Sequence, residues 1–340
     1  MMAASARERS RRGLTVGLLA LVAVLAVASL ALGPARLPPL MVLRALVDDV
    51  GSAGIIVREI RLPRTLLAVM IGGTLGLIGA ALQGLLRNPL ADASVFGAPQ
   101  AAAFGAVLVL YFGWAGALSW ALPVAAIAGA LVSIGLIVAV AGREPGTVVL
   151  VLAGLAVGSL AGAATSFAIS LAPNPFAVTE IVFWLLGSLE DRSMAHVLLA
   201  APFLALAAAL IFSTGSALRA LTLGEEAAAS LGVSVGRTRV IVVVAAAIGA
   251  GAAVAVAGAI GFVGLVSPHL VRPLVSHDPA RTLAPSALAG AALLLAADCA
   301  VRLIPSAAEV KIGVLTALLG VPFFLWVIAR RKAELAEAPA

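Results

Sequence analysis

The chain has 340 residues, of which 62% are hydrophobic and 11% charged, and its formal net charge is +6. Soluble domains carry about a quarter charged residues, so this composition excludes an ordinary soluble domain and indicates a membrane protein. The positive charge does not indicate nucleic-acid binding, because the arginines are scattered between apolar stretches instead of forming one basic face. A single cysteine, Cys299, excludes a disulfide within the chain and a thiolate metal cluster.

A basic segment precedes the first apolar run, which extends from Gly13 to Gly33. A cleavable signal peptide would also begin with basic residues, but its apolar core is typically about 7–15 residues long. This run is longer. We therefore expect an uncleaved first span, with residues 1–12 as a cytoplasmic N-terminal tail.

Apolar runs of about 20 residues recur along the chain, and each is long enough to cross about 30 Å of hydrocarbon as a helix. They predict an all-α polytopic membrane protein with about ten segments, some short or broken, in a single transmembrane domain over residues 1–340. We place the segments at 14–34, 65–86, 97–114, 119–140, 147–170, 193–213, 239–259, 265–275, 284–302 and 312–329. The eighth is too short to cross alone and predicts a half-helix within the protein, where irregular backbone is tolerated.

Two asparagine or serine residues precede prolines at the ends of long apolar runs, as Asn88-Pro89 and Ser267-Pro268. Asparagine and serine are good N-caps, and proline is favoured at the first helical position. Both pairs therefore predict that a new helix begins at the proline.

Ten segments that start inside place both termini in the cytoplasm, with residues 330–340 as a C-terminal tail. Fourteen arginines and lysines then fall on the cytoplasmic side and eight on the outer side. This asymmetry has the sign of the positive-inside rule.

Small residues recur every fourth position within the spans, as in Gly72 and Gly76, and again in Gly154, Gly158 and Gly162. Such faces let helix backbones approach closely in lipid. We interpret them as packing surfaces between many helices within the chain.

The sequence shows no constellation typical of catalysis or of metal binding. Its two lysines, Lys311 and Lys332, follow no Gly-xxxx-Gly pattern, so no phosphate-binding P-loop is present. We therefore expect no enzymatic activity, no metal and no cofactor in this chain. An ion-coupled secondary transporter stays open as the alternative function. It would be expected to bury ionisable groups near the middle of the membrane, and Asp298 alone approaches that depth.

A set of motifs between Arg58 and Arg331 carries the strongest signal. They are Arg61-Leu62-Pro63-Arg64, Gln83 with Arg87-Asn88-Pro89-Leu90-Ala91, Leu223-Gly224-Glu225 through Leu231-Gly232, Ala257–Val266, Pro268-His269, Asp278 with Arg281, Ala297-Asp298 with Arg302, Glu309, and Thr316-Ala317 through Gly320-Val321-Pro322-Phe323-Phe324. Together these motifs resemble the permease subunits of type II ABC importers for iron-siderophores, haem or vitamin B12. The chain departs from the usual motifs of this family at Asp278-Pro279-Ala280-Arg281, Lys311 and Ala93. These departures leave the substrate subtype undecided.

The resemblance implies the assembly and the location. It implies a homodimer with the pathway on the two-fold axis, two ATP-hydrolysing subunits, a periplasmic or lipid-anchored substrate-binding protein, and a multi-pass protein of the bacterial inner membrane among its lipids. No nucleic acid is involved. The order of preference for the cargo is ferric siderophore, haem, then cobalamin.

The resemblance also assigns roles to particular residues. Residues 219–238 would be the coupling segment that fits the ATPase, through Leu223, Gly224, Glu225, Glu226, Ala229, Leu231 and Gly232. Arg61, Arg64 and Arg302 would dock the binding protein at outer span ends; interfacial snorkelling of Arg61 and Arg64, and an Arg302–Asp298 pair, are the structural alternatives. The fifth span and the periplasmic segment Asn174–Gly187 would line the pathway, with Val151, Gly154, Gly158, Gly162 and Ser166 as candidates.

Overall fold

The computed structural model of the protein describes residues 2–33, 35, 37–48, 51–115, 118, 120–142, 146–305 and 309–336. Within these ranges the secondary structure is helical, with connecting turns and no strand. Residues 1 and 337–340 of the predicted tails lie outside the described residues, as do residues 34 and 119 of the predicted spans.

The α-helices follow one another along the chain as α1 Met2–Ala31, α2 Pro39–Val47, α3 Ser52–Ile55, α4 Leu62–Leu85, α5 Ala98–Tyr111, α6 Ala121–Ala141, α7 Thr147–Ser170, α8 Pro175–Leu185, α9 Met194–Ser213, α10 Gly215–Ala220, α11 Glu225–Ser230, α12 Val235–Ala257, α13 Val263–Val271, α14 Pro279–Leu303 and α15 Ile312–Ala336.

The helix lengths confirm a polytopic membrane protein with about ten segments. Eight helices in the described part of the chain are long and apolar enough to span a membrane. Two more predicted segments are the shorter helices α5 and α13, so the third span is short and the eighth is a half-helix. The fifth predicted span coincides with α7, while α8 is an additional short helix within the predicted periplasmic segment.

A six-residue π-turn, Ile56–Arg61, joins α3 to α4, so that one continuous helix of 34 residues runs from Ser52 to Leu85. The turn places Arg61 at its end and Arg64 in the first turn of α4. We call this end of the bundle the Arg64 end. At the opposite end of α4, Gly84 packs against Leu218 of α10. The chain continues from α10 into α11, which begins at Glu225, and we call this end of the bundle the Glu225 end.

Three helices, α4, α12 and α14, form the centre of the bundle and bury most of their surfaces. Glycines allow these helices to approach closely. A Cβ atom added at Gly72 would lie 2.4 Å from the carbonyl oxygen of Gly290 in α14, and one added at Gly79 would lie 1.7 Å from that of Gly264 in α13. In lipid, where no hydrophobic force drives helices together, such close contacts provide much of the packing.

Neither predicted proline begins a helix. Asn88 forms a turn instead, with its side-chain oxygen accepting from the Leu90 N–H at 3.0 Å. Pro268 lies inside α13, which begins at Val263 after Phe262 in the left-handed region (φ +66°). The carbonyl of Gly264, which Pro268 cannot satisfy because proline has no N–H, accepts from the Gln83 side chain at 3.5 Å. This tertiary contact makes the proline compatible with the helix.

Candidate functional site: the arginine cluster, the coupling segment and the pathway helices

Arg64 is buried at the Arg64 end and is held by two carboxylates. Its Nε donates to Asp298 Oδ1 at 2.7 Å, and its two terminal nitrogens form a bidentate pair with Glu309, with Nη1 to Oε2 at 3.0 Å. The Asp298 side chain is fully buried, and that of Glu309 is 20% exposed. Bidentate charge-assisted pairs of this kind fix the position of the guanidinium group.

Arg302 and Arg61 complete this arginine cluster by bonding the C-terminal end of α1. Arg302 donates to Asp298, and also to the backbone carbonyl of Ser29 at 2.8 Å and its hydroxyl at 2.7 Å. Arg61 donates to the carbonyls of Leu30 and Ala31, both at 2.8 Å. The two arginines therefore satisfy carbonyls that have no partner within a helix end and place positive charge at its negative pole.

The three arginines that the sequence predicted to dock a binding protein are buried within this chain. Arg61 is 4% and Arg64 8% exposed, and the Arg302 side chain is 5% exposed. The predicted Arg302–Asp298 pair is present, but it belongs to a network joining α1, α4 and α14. A cavity of about 480 Å³ reaches all three arginines and is also bounded by Glu190 and Glu309.

The predicted coupling segment presents an exposed surface at the Glu225 end. Gly224 and Gly232, with φ of +104° and +84°, flank the short helix α11. Positive φ favours glycine, so both ends of the short helix depend on these residues. The exposed side chains include those of Leu223 and Leu231, each residue being 66% exposed. Ala229 and Glu226 are exposed too.

Glu225 differs from Glu226 because it has a buried partner. The carboxylate of Glu225 pairs with Arg239, which is 9% exposed in the first turns of α12. Ala228, on the inner face of α11, is fully buried. The segment is therefore attached firmly to α12 at one face while its other face is available for contact.

The five predicted lining residues on α7 do not share one surface. Gly154 and Gly158 pack against Val95–Gly97, since a Cβ atom on Gly158 would lie 2.9 Å from the Cα of Gly97. Val151 and Gly162 are half-buried, and Ser166 is exposed. The exposed face of α7 that contains Ser166 is the row Leu152, Ala156, Ser159, Ala163 and Ser166.

The segment after α8 forms backbone hydrogen bonds with the end of α12 and the start of α15, near the Arg64 end. The N–H of Ser188 donates to the carbonyl of Ala257 at 2.8 Å, and that of Gly313 to the carbonyl of Gly187 at 3.4 Å. An apolar cavity of about 550 Å³ lies beside this junction, between α8 and α15. Lys311, one of the departures noted in the sequence, pairs with Glu190 at 2.8 Å and so links the start of α15 to the segment after α8.

Asp92 is a half-buried acidic residue that the sequence reasoning missed. Its carboxylate lies against the start of α13, where a Cβ atom on Gly264 would come within 2.7 Å of Oδ1. Burial raises the pKa of the Asp92 carboxyl above its usual range, against the opposing effect of hydrogen bonds from Ala93 and Ser94. Its position in a polar turn after α4 gave no sign of this environment, because α13 is far from Asp92 in the sequence.

Three comparisons with known proteins agree with one another. The chain matches the FecCD transport family over residues 21–330. It is 39% identical over 284 residues to the cobalamin import system permease protein of Halobacterium salinarum, which covers 83% of this chain and 75% of that protein. It is 36% identical over 327 residues to the vitamin B12 import system permease protein of Klebsiella pneumoniae, covering 96% of each.

A solved structure is similar as well. It is described as an inward-facing conformation of a metal-chelate type ABC transporter, and it aligns with a TM-score of 0.85 at 30% sequence identity. The alignment covers 94% of this chain and 99% of the other.

Proposed function

Because this chain belongs to the FecCD transport family, and is therefore the permease of a type II ABC importer, we propose that its cargo is a bulky metal chelate, with cobalamin as the first candidate. The similarity to cobalamin permeases over 83% to 96% of the chain carries this proposal. It reverses the order preferred from the sequence, in which a ferric siderophore came first and haem second. Those two cargoes stay as the second candidates, supported by the similarity to a metal-chelate type transporter.

The decisive experiment is uptake into proteoliposomes that contain the permease with its ATPase and binding protein. Cobalamin, a ferric siderophore and haem are supplied in separate reactions, with ATP, with ADP, or with a proton or sodium gradient. We expect ATP-dependent uptake of cobalamin and none driven by a gradient. Uptake of only the siderophore or haem would overturn the proposal that cobalamin is the cargo. Uptake driven by a gradient would support an ion-coupled secondary transporter instead.

Members of this family are permease subunits and not enzymes, and they act in the inner membrane with an ATPase and a substrate-binding partner. For this chain we propose a homodimer with two ATPase subunits, both termini cytoplasmic, the Arg64 end outside and the Glu225 end inside. The exposed face of α11 and its flanking leucines would contact the ATPase. Such a rigid contact can transmit a two-state movement.

The net charge of the arginine cluster limits how strongly the cluster could attract a binding protein. Three arginines against two carboxylates, Asp298 and Glu309, leave a net charge of about +1 per chain. Arg61 contributes this charge, because its partners are neutral carbonyls. Two copies would present about two net charges, so docking would depend only weakly on salt.

The binding protein's association rate with an Arg61→Gln variant tests this role. Arg281→Gln is the control, because the Arg281 side chain is 45% exposed at the opposite end of α14. We expect the rate to fall and its salt dependence to flatten only for Arg61→Gln. Equal rates for the two variants at low and high salt would refute docking at this site.

The pathway is proposed to run along α7 in the dimer. Of the sequence candidates, Ser166 and the half-buried Val151 and Gly162 can reach it directly. Gly154 and Gly158 would contribute by letting α7 lie close to Val95–Gly97. The exposed row on α7 offers small and apolar side chains, which suits a bulky cargo that must not bind tightly.

A further inference from the structure

The short helix α2 exposes an apolar face that water would not favour. Four of its residues expose large apolar side chains: Leu40 (62%), Met41 (41%), Leu43 (54%) and Val47 (83%). Leu40, Leu43 and Val47 follow the i, i+3, i+7 spacing of one helix face, and Arg44 is exposed on that same face. Fully burying a leucine or valine side chain is worth about 1.5–3 kcal/mol, so a face of this kind indicates something that covers it.

The opposite face of α2 is already packed. Val42 and Ala45 are 2% and 0% exposed and form a small core with Leu30 of α1 and Val57 of the π-turn. The helix is therefore fixed to the bundle by one side, and its exposed side points away from the rest of the chain.

The position of α2 identifies what covers it. The apolar part of α1, Arg12–Ala31, has 20 residues, which as a helix rise about 30 Å, the thickness of the hydrocarbon layer. Leu30, against which α2 packs, thus lies at the boundary of that layer. α1 itself exposes apolar side chains in the turns before Leu30, where Val24 is 66% and Val27 50% exposed.

We propose that α2 is an interfacial membrane anchor, whose Leu40–Val47 face is immersed in the lipid leaflet at the Arg64 end while Arg44 reaches the phosphate groups. Helices of this kind lie about 5–10 Å into the boundary between headgroups and acyl chains. A long cationic side chain on such a face extends to the headgroups while its methylenes remain in the apolar layer.

The anchor has a mechanical consequence that is independent of the cargo. Through Val42 and Val57, the lipid-bound helix contacts the π-turn that ends at Arg61. The leaflet therefore helps to hold the arginine cluster in place relative to the membrane surface.

Site-directed spin labelling of the full-length chain in liposomes tests the proposal. The only cysteine is removed as Cys299→Ala, and a nitroxide is attached to Leu43→Cys or, in a second variant, to Val47→Cys. Leu21→Cys in α1 serves as the lipid control, and Asp48→Cys, exposed at the end of α2, as the aqueous control. The collision rates of each label with oxygen and with a water-soluble nickel complex are measured.

Lipid contact gives high oxygen and low nickel accessibility, with the labels at 43 and 47 between the two controls and about 5–10 Å deep. If the labels at 43 and 47 have the same oxygen and nickel collision rates as the label at Asp48→Cys, the face is in water and the proposal is overturned. Low accessibility to both reagents with an immobilised spectrum shows that a second copy or another protein covers it, and also overturns it. Val47, the more exposed site, decides the result if labelling at 43 perturbs the fold.

Discussion

Asp298 shows how single residues organise the Arg64 end. Its fully buried carboxylate lies between the guanidinium groups of Arg64 and Arg302, which belong to two different helices. Glu309 binds Arg64 from the more exposed side. The positive charges are thus retained inside the protein because each has a carboxylate or a set of carbonyls within hydrogen-bonding distance.

Asp298→Asn should therefore destabilise the protein far more than Glu309→Gln. Removing the Asp298 charge leaves two buried cations with less compensation, at a cost of about 3–5 kcal/mol. Glutamine at position 309 can still accept from Arg64, which limits the loss to about 1 kcal/mol. Thermal unfolding midpoints in detergent measure both. Equal shifts for the two variants would show that the cluster is not organised around Asp298.

The half-buried Asp92 predicts that stability depends on pH. A carboxyl whose pKa is raised by folding binds its proton more tightly in the folded state, so stability is lost as pH rises from the unfolded value near 3.9 through the folded value. Asp92→Asn removes this loss and keeps an oxygen for the N–H groups of Ala93 and Ser94. We expect its advantage in unfolding midpoint over wild type to be larger at pH 7.5 than at pH 4, close to the unfolded value. An advantage that shrinks with rising pH would contradict the burial of the charge.

At the scale of helices, the closest backbone contacts determine which substitutions are tolerated. Gly79 of α4 lies against Gly264 of α13, whereas at the neighbouring Gly73 an added Cβ atom would meet Ala287 of α14 at an ordinary 3.5 Å. Both glycines lie inside the same helix, so they differ mainly in the space available.

Gly79→Ala should separate α4 from α13 and lower stability by more than about 2 kcal/mol, as overpacking does. Gly73→Ala has room and should be neutral or gain up to about 1 kcal/mol from helix propensity. Unfolding midpoints again give the comparison. If both variants behave alike, the close approach of α4 and α13 is not maintained in the membrane.

Charge reversal in the coupling segment must respect the Glu225–Arg239 pair. Glu226→Lys changes the exposed surface alone, while Glu225→Lys combined with Arg239→Glu reverses the charge at 225 and preserves a salt bridge. We expect both to fold and to reduce the ATPase stimulation that the loaded binding protein produces in proteoliposomes. Glu225→Lys alone should also lose stability, because it places a lysine beside buried Arg239. Normal stimulation in the first two variants would refute the proposed ATPase contact.

Sequence patterns predicted the helices better than their contacts. Apolar run length predicted the position of α7 and identified α13 as short, because spanning a membrane constrains length directly. The starts at Pro89 and Pro268 were wrong, since the side chain of Gln83, distant in sequence, provides the hydrogen bond that makes Pro268 acceptable within α13. Likewise, nothing near Arg64 in the sequence shows that Glu309, 245 residues away, neutralises it.

At the scale of the whole molecule, the surface helices lack enough protein around them to be buried. In the most apolar 18-residue stretch of α6, of α7 and of α15, 22% of the residues are buried, against 78% in that of α12. Lipid or a second copy must cover the remainder. The proposed dimer assigns the exposed row on α7 to the space between two copies and leaves α1 to lipid.

Cysteine cross-linking distinguishes these two environments. In a Cys299→Ala background, Ser166→Cys on α7 should give a covalent dimer with a short bis-maleimide in native membranes, because residues near a two-fold axis approach their own copies. Val24→Cys on α1, which is 66% exposed, should not. Cross-linking at Val24 but not at Ser166 would place the dimer axis elsewhere.

The π-turn Ile56–Arg61 has a consequence for natural length variation. A π-turn holds one residue more than the α-helical turn it replaces, so removal of one residue from Ile56–Ile60 would leave a regular helix. Arg61 and Arg64 are tied to α1 and α14 and would keep their places, and the residues before the deletion would keep their face because the shorter α-helical turn still closes one full rotation. In related chains we therefore expect single-residue gaps to accumulate at this turn, while the apolar face of α2 and the spacing from Arg61 onward stay constant.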